Sequence, residues 1–443
     1  MTISRMLAPL VAFSTVFVLP VQAQNLVDLF ESARGFDAAF SSAKSQLDAI
    51  QFRAEQARAG LLPQVGLAAS ASQSYLSVGP DVGPKLDRGY GTQTATLSAS
   101  QPLYRPANKV TFDQGQKQID LTQAQLVAAE QDLLLRVSQA YFDVLASQDS
   151  LTFVRAQKAA VAEQLAFAKR NFEVGTSTIT DTREAQARYD LVIAQEIAAE
   201  NDLRVKKLTL DQIVGKTDTS PKAVALPLAL PEVVPADVNA WVQQSLEQHP
   251  SIRQAQLALD VAVLETAKAR AGEKPTLDLV GSYGVIRNQD GSSTSGVGSW
   301  VNSATIGVNF NLPLFSGYSV QNRIKETLAL EDKARNDLEG AKRAVAQLTR
   351  ATYFGLASGQ GQVKALEAAE LSSQSALDAN KLGYQVGVRI NIDVLNSQSQ
   401  LFQTKRDLAK ARYDVLIGGL RLRQANGTLR AEDLQSVNAL LVR

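Results

Sequence analysis

The sequence predicts a mixed fold: four transmembrane β-strands per chain, twelve in an assembly of three, continuous with long α-helices that pack as coiled coils. Three observations predict it. Landmarks recur 212 residues apart, pairing Gly175 with Gly387, Asp181 with Asp393, Pro63 with Pro275, and Ala57-Arg-Ala-Gly60 with Ala269-Arg-Ala-Gly272. A fixed offset at separate landmarks marks an internal duplication. Two runs in each half alternate apolar and polar residues, and two long stretches, Pro106 to Val174 and Ser319 to Val386, are helical with no internal proline.

Composition narrows the classes further. The chain has 443 residues, a formal net charge of +1, and only 15 Phe, 10 Tyr and 2 Trp. That is a thin supply for a large globular core and suits helices packed through small side chains. The near-neutral balance gives no electrostatic footprint for nucleic acid. Cysteine is absent, which excludes disulfides, thiolate metal sites, cysteine nucleophiles and a lipid anchor on cysteine. Arg5, the apolar run Met6 to Val18 and Val21-Gln22-Ala23 before Gln24 read as a secretory signal peptide over residues 1–23. No later run approaches the length of a membrane helix. The first repeat is expected over 24–225 and the second over 226–443, with an inter-repeat linker near 216–236 marked by Pro221, Pro227, Pro231 and Pro235.

In order, a helix is expected from Asn25 to Gly60, closed by Pro63. Strand-like runs follow at Val65–Tyr75 and Thr92–Leu103, around a Gly/Pro-rich loop from Ser77 to Gly91, with Pro102 closing the second run. A rod from Pro106 to Val174 would be about 100 Å long at 1.5 Å per residue. A helix from about Thr178 to Val214 completes the first half. The second half repeats the programme: a helix from about Ala236 to Gly272, bending near His249-Pro250, strands at Thr276–Ile286 and Trp300–Leu312, a rod to Val386, and a helix from Asn391 to Ala425. In that last helix Val394, Leu401, Leu408, Val415 and Leu422 recur at sevens, with Ser397, Thr404, Ala411 and Gly418 three residues after the first four. Large against small at heptad spacing is a coiled-coil seam. The long rod carries a similar seam at Leu338, Ala341, Val345 and Leu348.

The strands point to lipid. Ala304, Ile306, Val308, Phe310 and Leu312 alternate with Ser303, Thr305, Asn309 and Asn311, and each run has about the length that a tilted strand needs to cross a bilayer. Apolar outward and polar inward is the barrel pattern, although a soluble sheet with one wet face shows the same alternation. Trp300, Tyr75, Tyr90, Tyr104 and Phe315 lie near strand ends, where interfacial aromatics belong. Four strands cannot close a barrel, because the smallest need about eight, and open edges are not tolerated in lipid. Pooling strands from three chains gives twelve.

The two tips carry the candidate functional residues. By local rules Gly175 and Gly387 are left-handed helix stops, and Asp181, Asp393 and Thr178 are capping residues. His249 is the only histidine and cysteine is absent, so neither a metal centre nor a catalytic triad is expected. The Gly-rich loop at 291–298 lacks a phosphate-loop lysine. No enzyme and no cofactor are expected. The residue reading leaves three functions open: a conduit opened by partners, a non-conducting envelope scaffold or adhesin, and a passive porin.

Phe172-x-Val-Gly175, Ile179-Thr-Asp181, Ala185-x-Ala187-x-Tyr189-Asp190, Tyr384-x-Val-Gly387-x-Arg389, Asp393-Val-Leu395 and Ala425-Asn-Gly427-Thr-Leu429 resemble the TolC family of outer-membrane efflux proteins over essentially the whole mature chain. The resemblance implies a homotrimeric channel-tunnel in outer-membrane lipid, its β-barrel continuing into a periplasmic helical barrel that tapers at the hairpin tips. It implies export in efflux or type I secretion, with a periplasmic adaptor protein and an inner-membrane pump of ABC or RND type. By motif position, Thr180, Asp181, Tyr384 and Arg389 would form the closing network, and Asp393 and Asn396 the constriction ring. The family's type member has a second aspartate at the place of Asn396, so the ring here carries half the charge.

Overall fold

The two halves repeat one order of elements because they repeat the same breaks. The computed structural model describes residues 24–225, 227–228 and 230–442, and the expected signal peptide lies outside them. The first half gives α1 (Leu26–Phe36), α2 (Ala38–Ala59), β1 (Gln64–Val78), β2 (Leu86–Tyr104), α3 (Pro106–Glu173) and α4 (Ile179–Val214). The second gives α5 (Val238–Gln248), α6 (Pro250–Ala271), β3 (Thr276–Asn288), β4 (Ser299–Asn311), α7 (Ser319–Gln385) and α8 (Asn391–Ala425), followed by a short α9 (Asp433–Asn438).

The helix expected from Asn25 to Gly60 is two helices. Asp37 is extended, with φ −60° and ψ 122°, and its carboxylate accepts from Phe40 N at 2.8 Å to cap α2. His249 occupies the equivalent corner with φ −66° and ψ 127°; its Nδ1 accepts from Ser251 N at 3.1 Å, and Pro250 opens α6. Each corner seats the far end of a later helix. Gly215, after α4, has φ +69°, and a Cβ there would lie 2.3 Å from the Phe36 ring. Gly427, after α8, has φ +81°, and a Cβ there would lie 2.5 Å from His249 Cα. At these two positions glycine is required by both conformation and space.

The strands form one antiparallel sheet in the order β1-β2-β3-β4, so the two halves meet at β2–β3. Two expectations need correction. The loop from Ser77 to Gly91 is mostly strand, since β1 and β2 pair as far as Val78 with Leu86. Pro102 does not end β2; pairing continues to Tyr104 across a register shift between Pro102 and Tyr104, the kind of bulge at which a strand tolerates proline. The register aligns the alternation across all four strands. Leu67, Leu97, Tyr283 and Ala304 fall in one row, with Val65, Ala99, Gly281 and Ile306 beside it. Ile306, Val308 and Phe310 on this face are 81, 61 and 61% exposed in the protomer. On the other face Gly66, Ser98, Ser282 and Thr305 form a row next to Ala68, Thr96, Gly284 and Ser303. One face suits lipid and the other water. Where the sheet meets the rods, Arg105 Nε and Nη2 donate to the two carboxylate oxygens of Asp278 at 2.8 and 2.6 Å.

The rods α3 and α7 have 68 and 67 residues. Near the sheet the helices lie side by side as α2–α3–α6–α7, and toward the tips as α4–α3–α8–α7. The α8 seam is as expected: Val394, Leu401, Leu408, Val415 and Leu422 are all buried, and a Cβ on Gly418 would sit 3.1 Å from Leu356 Cδ1. The α7 seam departs from expectation. Leu338 and Val345 are buried against α6, but Leu348 is exposed and Thr349 is buried instead. From Thr349 the sevens resume at Leu356 and Val363, now against α8. The four-residue step from Val345 to Thr349 is a stutter, placed where α7 changes partner. Thr349 Oγ1 donates to the carbonyl of Ala425 at 2.9 Å, marking the end of α8.

Two outcomes follow. Ile306→Arg, on the apolar face near the middle of β4, should cost about 2–4 kcal/mol in a bilayer, whereas Thr305→Arg, one residue along, should cost far less; urea unfolding of both variants in lipid vesicles checks this. Burial holds the His249 imidazole below its ordinary value, so the neutral form belongs to the folded state. Stability should therefore be full above a pH of about 6.5 and fall as the pH drops below it. Thermal unfolding at several pH values should show that dependence flattened in His249→Asn.

Candidate functional site

The tips are built by two helix stops of one design. Gly175 and Gly387 have φ +78° and +77°. After α3, Thr176 N donates to Asn171 O at 2.8 Å and Gly175 N to Phe172 O at 3.0 Å; after α7, Val388 N donates to Gly383 O at 2.8 Å and Gly387 N to Tyr384 O at 3.2 Å. This pattern satisfies the last carbonyls of each rod. Nothing crowds either glycine, so conformation alone selects it. Three residues separate Gly175 from the start of α4 and Gly387 from that of α8, which makes each tip a tight reversal.

The two reversals differ in how the next helix starts. Thr178 caps α4 through Asp181 N at 3.3 Å, and the Asp181 carboxylate accepts from Thr178 N at 3.1 Å. This is a reciprocal capping box, so Asp181 is first of all a capping residue. Ile390 offers α8 no such cap. Arg389 folds back over the last turn of α7; a Cβ on Gly383 would lie 2.7 Å from its Cγ. Arg389 Nη1 comes within 3.8 Å of Asp393 Oδ2, with side chains 58 and 33% exposed. Such a pair contributes about 0–1 kcal/mol and can be remade elsewhere.

Tyr384 links the hairpins. Its ring meets Phe167 of α3 edge-on at 5.7 Å, and its buried hydroxyl makes no well-formed hydrogen bond among the described residues. Burial pushes the phenol above its ordinary range; the Asn171 side chain opposes this and the Asp181 carboxylate adds to it. The structure therefore sets Tyr384 against Phe167 of the other hairpin and brings Arg389 toward Asp393 within one protomer. Thr180 is exposed in the first turn of α4, and no side-chain bond joins it to the others among the described residues. Asp393 and Asn396 do not act alike: Asn396 Oδ1 accepts from Arg188 Nη2 of α4 at 2.8 Å.

Sequence reasoning missed Asn391, Gln164, Arg188 and Gly383. Asn391 is fully buried: its Nδ2 donates to the Asp181 carbonyl at 3.1 Å, and its Oδ1 accepts from Gln164 Nε2 at 2.6 Å. A polar residue in a helix's first turn reads as a surface residue, and only the packing of α8 on α3 and α4 reveals otherwise.

The comparisons with known proteins agree with this architecture. Residues 29–216 and 241–428 each match the family described as outer membrane efflux protein, and the two matches keep the 212-residue offset. The chain is 34% identical over 419 residues to the outer membrane protein TolC of Vibrio cholerae, covering 95% of this chain and 94% of that one. It is 31% identical to the alkaline protease secretion protein AprF of Pseudomonas aeruginosa, covering 95% of this chain and 88% of the relative. In fold it superimposes on the CmeC outer membrane channel of Campylobacter jejuni with a TM-score of 0.78 at 16% identity, over 95% of this chain and 90% of that one.

Because the left-handed turn conformation alone selects glycine at the tips, Gly387→Val should destabilise the α7–α8 reversal by about 1–2 kcal/mol. Limited proteolysis should then cleave near residue 387 faster than in the wild type, with cleavage near Gly175 unchanged.

Proposed function

This chain belongs to the outer membrane efflux protein family, an outer-membrane channel-tunnel for efflux or type I secretion and not an enzyme, and from that premise we propose how it closes, opens and finds its partners. The observation that carries the proposal is the four-stranded sheet with one apolar face, one polar face and two open edges. Unpaired edges are costly in hydrocarbon, so the functional unit is a homotrimer with a twelve-stranded barrel, its polar face lining the pore. The helices support the same assembly. Along α4, Leu191, Ala194, Ala198, Val205 and Leu208 are exposed at heptad spacing; along α7, Ala351, Phe354, Ala365, Ala368, Ala379 and Leu382 are too. These lie on the two outer helices of the protomer's tip layer, and a neighbour's α7 would cover α4.

In the trimer the tapered tips are the constriction. Asp393 from three chains supplies a ring of like charges that favours cations. Thr180, Asp181, Tyr384 and Arg389 make the closing network: Arg389 holds its own Asp393 weakly and is exposed enough to exchange that partner for Thr180 and Asp181 of the next hairpin. Asn396, engaged by Arg188, contributes no charge. Weak, exposed links suit a closure that a periplasmic adaptor opens while an inner-membrane pump of ABC or RND type delivers the cargo. The relatives' names, an alkaline protease secretion protein and outer membrane efflux proteins, support protein secretion and efflux as the range to test.

The test is single-channel conductance of the purified trimer in a planar bilayer. A small, long-lived conductance is expected, partly blocked by divalent cations added on the hairpin side. Arg389→Ser and Asp181→Ala should raise the conductance, and Asp393→Ala should remove the block. A large ungated conductance would point to a porin, and none at all to a scaffold.

A further inference from the structure

Asn391 stands two residues after Arg389 and two before Asp393, in the first turn of α8, with no exposed surface. Both ends of its amide are used. Nδ2 donates to the main-chain carbonyl of Asp181 on α4 at 3.1 Å, and Oδ1 accepts from Gln164 Nε2 on α3 at 2.6 Å. One side chain of the α7–α8 hairpin thus grips both helices of the α3–α4 hairpin. Ile390 gives this end of α8 no side-chain cap, so the turn is held from outside. One turn further, Leu395 is buried in the cluster of Val161, Leu165, Ala168 and Ala185. One turn beyond that, Gln398 is also buried, and its Oε1 has no hydrogen-bond partner among the described residues.

A buried asparagine between two hairpins acts differently from another leucine. Apolar packing tolerates sliding, whereas a doubly bonded amide is satisfied in one geometry and leaves unpaired polar groups when the helix shifts. The contact is therefore directional, and it breaks as a unit.

We propose that Asn391 is an intraprotomer latch: a positioning residue that holds the first turn of α8, and with it Arg389 and Asp393, against the α3–α4 hairpin in the closed tunnel. This rests on the gate reading given under Proposed function.

The experiment compares planar-bilayer conductance and thermal unfolding of the full trimer in wild type, Asn391→Leu, Gln164→Leu, the double variant, Leu395→Ala and Arg389→Ser. Asn391→Leu should raise the conductance several-fold and weaken the divalent block, while lowering the unfolding midpoint less than Leu395→Ala does. Gln164→Leu should raise it less, and the double variant no more than Asn391→Leu alone, because both remove one shared contact. Leu395→Ala should lower the midpoint, which separates latching from general loosening. If Arg389→Ser raises the conductance and Asn391→Leu does not, the latch is overturned and the gate stands. If neither changes a conducting wild type, the gate reading falls and the latch with it. Should Asn391→Leu fail to assemble, Gln164→Leu decides: an unchanged conductance there overturns the latch.

Discussion

The whole structure depends on backbone hydrogen bonds that one chain cannot make. β1 and β4 are the free edges of a sheet whose apolar face is made for hydrocarbon, and lipid offers no donors or acceptors to such an edge. Assembly is thus a condition of the fold rather than an addition to it. The same condition explains the long helices. A rod of 68 residues cannot bury an apolar stripe against a globular core, so its stripes are distributed among neighbours, some within the protomer and some left on its flanks.

Duplication solves the problem of building a wide wall from one chain, and the solution leaves marks in packing detail. The second rod must face α6 near the sheet and α8 toward the tips, and a strict heptad would present the wrong face to one of them. The four-residue step between Val345 and Thr349 turns the seam at the change of partner. The first half needs no copy of every device. Asp181 builds a reciprocal cap for α4, while the matching start of α8 has Ile390 in the cap position and relies on Asn391 reaching across to the other hairpin. The two tips share their turn geometry and differ in what holds the helix that follows.

Much of this is legible in the sequence because periodicity and punctuation are local. Both rods, all four strands, the α8 seam, the bend at His249 and the left-handed conformations of Gly175 and Gly387 follow from residue patterns alone. What escapes is whatever depends on a partner elsewhere in the chain. Pro102 looks like a strand stop because the bulge that accommodates it is a property of the β2–β3 ladder. Leu348 looks like core because the seam's change of phase comes from the switch between α6 and α8. Asp37 hides a corner because its flanks keep helical periodicity. At the tips, nothing in the pattern singles out Gly383, although its role is the space it leaves for Arg389.

The glycine-seated corners have a mechanical consequence. Gly427 fixes the upper end of α8 on the His249 main chain, and Gln131 Nε2 holds the carbonyls of Gly427 and Leu429 at 3.1 Å. The end of α4 is seated likewise, on Phe36. Each helix thus has a seated end at the corner and a long arm to the tip, packed along its length on its neighbours. With 35 residues in α8, the arm is about 52 Å long, so a tilt of about 10° carries its tip through about 9 Å. A small rotation where the helix is anchored would be magnified into a far larger displacement where it ends.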